Sequence, residues 1–269
     1  MTDLAVIMSI YQKDRLTFIK ESVESMLNQT FRDFHYYLVF DGPVPYEIDD
    51  YFISMKDERI RLYRLEKNEG LANALNFLLK IVLQNPEYKY IARMDADDIS
   101  MVDRFEKQRD YLLSNSDLAA IGSWYQVINE QGELISETKL PLDHENLKKR
   151  YFLRAPFAHS SVMFHRKLIE IAGFYPTNTV LMEDNILWGY ALKKGLKFAN
   201  LPEYLLKFRR DKNFYKRRSG IRYGWNFIKS KTRINRSVGS TLAYTLIIFF
   251  SGLFKMLPPF LSRFLYSIR

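Results

Sequence analysis

The chain has 269 residues, 40 Lys and Arg against 31 Asp and Glu, and no cysteine. At 47% hydrophobic and 26% charged residues it has a globular composition, and its length suits one α/β domain with an appendage or two small domains. The lack of cysteine excludes a disulfide scaffold, a thiolate zinc site, an iron–sulfur cluster and a cysteine nucleophile.

Charge is unevenly placed. Residues 204–269 hold 15 Lys and Arg and one acid, Asp211, whereas residues 1–203 hold 25 basic and 30 acidic residues. A mildly acidic body thus carries a strongly basic tail, of the kind that faces nucleic acid, anionic lipid or a phosphorylated ligand. The start is unlike a signal peptide, because Asp3 stands where basic residues belong and the apolar run Leu4–Ile10 is short.

Strand and helix signals alternate through the first half. Leu4–Ile10 reads as a buried strand, and Leu16, Ile19, Val23, Met26 and Leu27 follow at helical spacing. Tyr36–Phe40 reads as a second strand stopped by Asp41-Gly42-Pro43, and Arg59–Leu65 alternates like a half-exposed third. Leu71, Leu75, Leu78, Leu79 and Val82 make a helical face, and Tyr90–Met94 is a fourth strand ending in acids. This alternation predicts a mainly parallel sheet flanked by helices, with ligands at the carboxyl ends of the strands.

Beyond Asp103 the pattern loosens. It predicts a helix over Phe105–Leu113, strands at Leu118–Gly122 and Ser160–His165, a turn at Asn129–Glu133 and a helix over Asp184–Lys194 closed by Gly195. Lys207–Arg236 is basic and interleaved with aromatics, and Val238–Phe254 is free of charge for 17 residues. As one helix that run would reach ~26 Å, short of the ~30 Å hydrocarbon core. After Pro258-Pro259, Phe260, Leu261, Phe264, Leu265 and Ile268 sit with Arg263 and Arg269 in an arrangement suited to an interface. The tail is therefore expected to associate with a membrane without spanning it. A helical hairpin packed on the body or on a partner chain is the alternative.

The strongest local chemical signal is Ala92-Arg93-Met94-Asp95-Ala96-Asp97-Asp98. In extended chain Asp95 and Asp97 point to one side, and like charges so close need a cation or hydrogen-bond donors. Oxygen ligands of this kind suit Mg²⁺ or Mn²⁺, with substrate phosphates completing the shell. A solvated acidic turn capping the next helix is the other reading that these residues allow.

The chain resembles the family 2 glycosyltransferases, which use nucleotide sugars and have the GT-A fold. The resemblance rests on ordered segments: Val6–Tyr11, Glu21–Phe31, Val39–Gly42, Asn68–Ala72, Ala92–Asp98, His159–Phe164 and Glu183–Trp188. It implies a GT-A domain over 1–206, with a nucleotide-binding half at 1–100 and an acceptor half at 101–206. A basic and hydrophobic helical extension over 207–269 follows. It implies an inverting, metal-dependent enzyme that moves a hexosyl or N-acetylhexosaminyl group from a UDP-sugar to a glycan hydroxyl. With the basic tail, it implies a lipid-linked acceptor at the cytoplasmic face of the plasma membrane, in cell-surface polysaccharide synthesis.

Residue roles follow from the same resemblance. Ser9 and Tyr11 belong to the uridine-contacting turn, with Tyr11 on the uracil face and Asp41 accepting the uracil N3–H. Asn68 reaches the base or caps a helix. Arg93 holds uracil or braces the carboxylates. Asp95 contacts the ribose or the metal's water shell, and Asp97 ligates the metal. Asp184 is the general base, near a helix N-terminus that favours its ionised form. Glu183 supports the acceptor, His159 lines its pocket or meets donor phosphate, and Trp188, one turn after Asp184, stacks on a sugar or packs in the core.

Relatives often end the last strand with a Tyr-Arg-x-His stretch. This chain has Phe208-Arg209-Arg210-Asp211, so Asp211 occupies the histidine's place. The basic cluster Arg209, Arg210, Lys216, Arg217 and Arg218 is expected near the leaving diphosphate, with Arg217 and Arg218 as donor-binding residues, or on anionic lipid. Two competing classes remain: a nucleic-acid-binding protein, which explains the tail but not the acidic strand end, and a non-catalytic nucleotide-sugar-binding relative. The expectation is no nucleic-acid partner.

Overall fold

β1 (Leu4–Ile10) is apolar at every position but Ser9 because the sheet buries it on both faces. Ala5 and Ile7 enter one core cluster, and Leu4, Val6, Met8 and Ile10 enter the other, as strand alternation requires. The computed structural model describes residues 2–179 and 181–258. From β1 the chain runs through α1 (Leu16–Leu27), β2 (Phe34–Phe40), α2 (Tyr46–Ser54), β3 (Ile60–Arg64), α3 (Leu71–Val82) and β4 (Tyr90–Arg93). β3, β2, β1 and β4 are parallel neighbours in that order.

The second half continues with β5 (Ile99–Ser100), α4 (Arg104–Ser114), β6 (Leu118–Ile128), β7 (Leu134–Thr138) and α5 (His144–Tyr151). A single 3₁₀ turn at His159–Ser161 precedes β8 (Met163–His165), α6 (Lys167–Ala172), α7 (Glu183–Lys193) and β9 (Lys197–Arg209). The sheet order is β3-β2-β1-β4-β8-β6-β9-β5, with β7 beside β6. β8 joins β4 and β6 antiparallel, and β6 runs parallel to β9. The sheet is therefore mixed, and wholly parallel through its N-terminal half.

Several expected boundaries move. The strand expected at Leu118–Gly122 extends to Ile128, because β6 pairs with β9 along its whole length. Ser160 and Ser161 belong to the 3₁₀ turn rather than to the strand expected from Ser160. The expected division at 206/207 falls inside β9, which runs on to Arg209.

The tail holds α8 (Phe214–Arg217), α9 (Ile221–Val238) and α10 (Leu242–Met256). α9 packs on α7, and α10 packs back on α9. Gly224 and Gly252 meet at that crossing: a Cβ on Gly224 would lie 2.6 Å from the Gly252 carbonyl oxygen. The uncharged run does not form one helix. Val238 ends α9, Gly239 takes φ 90°, and α10 begins three residues later. At 15 residues α10 is ~22 Å long, and among the described residues no helix is long and apolar enough to cross a membrane. The apolar positions Phe260 to Ile268 lie outside the described residues.

Candidate active site

The carboxyl ends of β1, β2 and β4 open side by side on one edge of the sheet. Ser9 lies half-buried near the end of β1, and Tyr11, just beyond it, is 37% exposed. The Tyr11 backbone N–H donates to Asp14 Oδ2 at 2.9 Å. Burial, then the charges of Asp97 and Asp95, push the Asp14 carboxyl up to about 7. Sequence reasoning passed over Asp14. Its place in the turn after a buried strand, three residues past Tyr11, is the signal that could have found it.

Asp41 follows β2 and is buried. Its Oδ1 accepts the Glu69 N–H at 2.7 Å and its Oδ2 accepts the Gly70 N–H at 3.0 Å. Asn68 Nδ2 donates to the Asp41 carbonyl at 3.2 Å. Asp41 and Asn68 thus lock two strand-end turns together. Gly42, at φ 82°, permits this, because a Cβ there would lie 2.4 Å from the Asn68 nitrogen. Asn68 is not the cap of α3; Gly70 holds that position.

β4 ends in the acidic cluster, where oxygens of Asp95, Asp97 and Asp98 lie within 4.8 Å of one another. The three are not equivalent. Asp98 is fully buried, and its carboxylate accepts from the Ser160 hydroxyl and, at 2.7 Å, from the Arg209 N–H. Burial, then Asp97 and Asp95, hold its carboxyl well above the ordinary range. Asp98 is thereby committed to the fold. Asp95 pairs with Arg93 Nη2, and its carbonyl accepts from Ser22 Oγ at 2.8 Å. Asp97 forms no ion pair among the described residues, and burial followed by Asp95 pushes it up to about 6, against a hydrogen bond from its own backbone N–H. A partly buried carboxylate made costly by a like neighbour suits a hard divalent cation, and Asp95, Asp97 and Asp98 are the residues close enough to one another to hold one.

Arg93 is the hub. It is buried, and beyond Asp95 its Nε and Nη1 have no hydrogen-bond partner in the described structure. Arg104, itself buried, donates to the Arg93 carbonyl at 2.9 Å and fixes the end of β4. The Arg93 charge acts on Asp97 and also on Glu183, Asp184 and His159.

Glu183 and Asp184 open α7. Asp184 Oδ1 accepts the Asn185 N–H at 2.6 Å. Burial raises the Asp184 carboxyl, while that hydrogen bond and the charges of Arg93, Arg218 and Lys231 pull it back. Burial and Asp184 raise Glu183 likewise. A carboxyl held above its ordinary value within a buried site can accept a proton near neutral pH. His159 Nε2 is 3.0 Å from the Tyr175 hydroxyl. Burial, then Arg93, lower its pKa well below the ordinary value, so it is neutral and offers phosphate no charge. Tyr175, unnoticed in the sequence, also feels Asp184 and Glu183.

Two expected assignments are corrected. Trp188 is 0% exposed and packs against Phe157 and Phe198, so it cannot stack on an acceptor sugar. Arg209 is buried, with Nε on the Asp97 carbonyl at 2.8 Å, Nη2 on Glu21 and its guanidinium 4.3 Å over Phe18. It braces the acidic loop and has no free face for a diphosphate. Arg217 and Arg218 differ from it. Arg217 forms a forked pair with Asp211, at 2.6 and 3.0 Å, and its charge acts on Tyr11, Asp14 and Asp97. Arg218 lies 4.0 Å over Phe214, and its charge acts on Asp184.

Known proteins resemble this chain. Over 98% of this chain and 97% of its own length, the amylovoran biosynthesis glycosyltransferase AmsE of Erwinia amylovora is 30% identical. The UDP-Gal:alpha-D-GlcNAc-diphosphoundecaprenol beta-1,3-galactosyltransferase of Escherichia coli is 30% identical over 98% of this chain and 94% of its own. Among solved structures, the mannosyltransferase PcManGT of Pyrobaculum calidifontis, in complex with GDP-Man and Mn²⁺, superposes with a TM-score of 0.65. At 15% identity over 91% of this chain and 68% of that one, it speaks for the GT-A-like fold alone. The model of glycosyl transferase family 2 matches residues 5–172. That span takes in β1, the acidic cluster and most of the sheet, and by it the chain belongs to glycosyltransferase family 2.

Proposed function

We propose that this enzyme is an inverting transferase that moves a sugar from a UDP-sugar to a hydroxyl of a lipid-linked glycan, in cell-surface polysaccharide synthesis. The observation that carries the reading is the acidic cluster at the end of β4, where oxygens of Asp95, Asp97 and Asp98 lie within 4.8 Å of one another and the buried Arg93 pairs with Asp95. The relatives' names agree: one belongs to amylovoran biosynthesis, and another uses UDP-Gal and a diphosphoundecaprenol-linked sugar.

In this reading Ser9, Tyr11, Asp41 and Asn68 form the uridine end. Asp97, with Asp95, would hold Mn²⁺ or Mg²⁺, which would neutralise the donor diphosphate. Arg217 and Arg218 take the charge that grows on the leaving UDP. The acceptor oxygen attacks C1 of the sugar, the bond from C1 to the phosphate oxygen breaks, and Asp184 takes the hydroxyl proton. Glu183 and His159 line the acceptor side. The transfer domain ends with β9, and the helices beyond it form the extension.

The same proposal places the enzyme as a peripheral protein on the cytoplasmic face of an anionic plasma membrane. An apolar stripe on α10 supports this, beside a groove on α9 lined by Trp225, Lys229, Arg233 and Arg236. An apolar face beside cations fits lipid better than nucleic acid.

Asp97→Asn and Asp184→Asn test the chemistry. Asp97→Asn should weaken UDP binding in Mn²⁺ but hardly in EDTA. Asp184→Asn should cut transfer by roughly 10²–10⁴ while UDP affinity stays near wild type. Near-normal turnover of Asp184→Asn at saturating substrates would refute the base.

A further inference from the structure

Lys231 is the most deeply placed cation of the tail. It lies on α9, is 0% exposed, and forms no ion pair within the described structure. Burying an ammonium group is costly unless its hydrogens are satisfied. Here Nζ donates to the Tyr151 carbonyl and, at 2.6 Å, to Asn185 Oδ1, and sits 3.7 Å over the Tyr151 ring. Three electron-rich partners from two elements of the body converge on one side chain of the tail.

Asn185 is held from several directions. Its side-chain oxygen accepts from Lys231, its carbonyl accepts the Tyr151 hydroxyl at 3.0 Å, and its N–H donates to Asp184. α9 can come this close because position 189 of α7 is glycine, where a Cβ would lie 2.2 Å from Ile234 Cγ1. A helix merely covering the body has no need of a buried lysine at that contact.

We propose that Lys231 is a positioning residue for Asp184: by holding Asn185, it fixes the N–H that aims the Asp184 carboxylate, and so builds the tail into the reaction centre. The inference rests on Asp184 as the base. It assigns α9 a part in the chemistry that is separate from any part in membrane docking.

The charges facing Asp184 are Arg93 from β4, Arg218 from the segment after α8 and Lys231 from α9. Glu183 on its own helix, Tyr151 from α5 and Tyr175 from the segment after α6 complete the set. Burial lowers the Lys231 pKa well below its ordinary value, and Asp184 opposes that. When protonated, Lys231 in turn favours ionised Asp184. Removing it should raise the Asp184 pKa and move the acidic limb of the rate profile to higher pH.

The test uses the full chain with Lys231→Met, Lys231→Gln and, in parallel, Asp184→Asn. Lys231→Met should lower kcat by about 10- to 100-fold, as misaimed catalytic groups do, with UDP affinity unchanged and the acidic limb displaced upward. Lys231→Gln keeps a donor without the charge. It should recover part of kcat but keep the displaced limb, and it decides the matter if the methionine variant fails to fold. If the folded lysine variants keep the wild-type kcat and limb while Asp184→Asn is inactive, this inference fails and the base stands. If Asp184→Asn turns over normally, the base fails and the inference goes with it.

Discussion

Asp211 grips Arg217 through both carboxylate oxygens, at 2.6 and 3.0 Å, beside the mouth of the acidic cluster. The family resemblance implies a histidine at position 211, but this chain has there an acid that orients an arginine. A forked pair fixes the guanidinium plane and leaves one edge for a second anion.

Asp211→Ala should therefore loosen Arg217 and weaken UDP binding without changing the fold. The pair is part-exposed, which limits its worth to about 1 kcal/mol, or roughly fivefold in affinity. Arg217→Ala should cost more, because it removes the proposed phosphate contact itself. Titration of UDP into each variant checks the order. Equal affinities for wild type and Arg217→Ala would take Arg217 out of the donor site.

Asp14 gives a pH test of the site. Its carboxyl is pushed up to about 7 by burial and by Asp97 and Asp95, against an ordinary value near 3.8. Between those values the folded chain keeps a proton that the unfolded chain has released. Stability thus falls as pH rises through that window, and the full cost is present above about 7. Asp14→Asn removes the cost and keeps an oxygen for the Tyr11 N–H. In metal-free buffer its Tm should exceed wild type at pH 8 and match it near pH 4. A constant difference across that range would mean that Asp14 is not strained by its neighbours.

The parts that were legible in the sequence are those whose cause is local. β1, β2 and β4 are buried runs bounded by turn residues, so pattern alone places them within about two residues. α5 was not visible: of its eight residues only Leu147 and Tyr151 are buried, too few to set a period. β9 was obscured by Pro202, which sits where the pairing with β6 shifts between Ser123 and Trp124. In the site, Asp97 and Asp184 stood out because they end a strand and begin a helix. Tyr175 and Lys231 matter through partners distant in sequence, which no local pattern reveals, whereas Asp14 had a local signal in the turn after β1. Trp188 misled for a similar reason. It does lie one turn after Asp184, but α7 enters the core within that turn, and the same face is already inside.

The last prediction concerns the tail. On α10, Ile248 and Gly252 face inward, while Leu242, Leu246, Phe249, Phe250 and Leu253 form an outward stripe at helical spacing. Leu242 is 71%, Leu246 52% and Phe250 57% exposed, and Trp225 on α9 is exposed as well. Water makes such a stripe costly, at about 25 cal/mol for each Å² left exposed. Nearby cations add attraction to anionic lipid of about 1 kcal/mol each when close to the surface. Fewer contribute than the sequence suggests, since Arg209 and Lys231 are buried and Arg217 is paired. Apolar insertion must therefore supply most of the binding. Leu246→Glu with Phe250→Glu should abolish flotation with anionic vesicles, where reversing single surface lysines only weakens it. Both acids would sit on the outward face, so UDP binding and Tm should hold. If the wild-type chain stays at the bottom of the gradient at low salt and sediments as a dimer that the double variant dissociates, the stripe joins two copies of this chain and the membrane assignment falls.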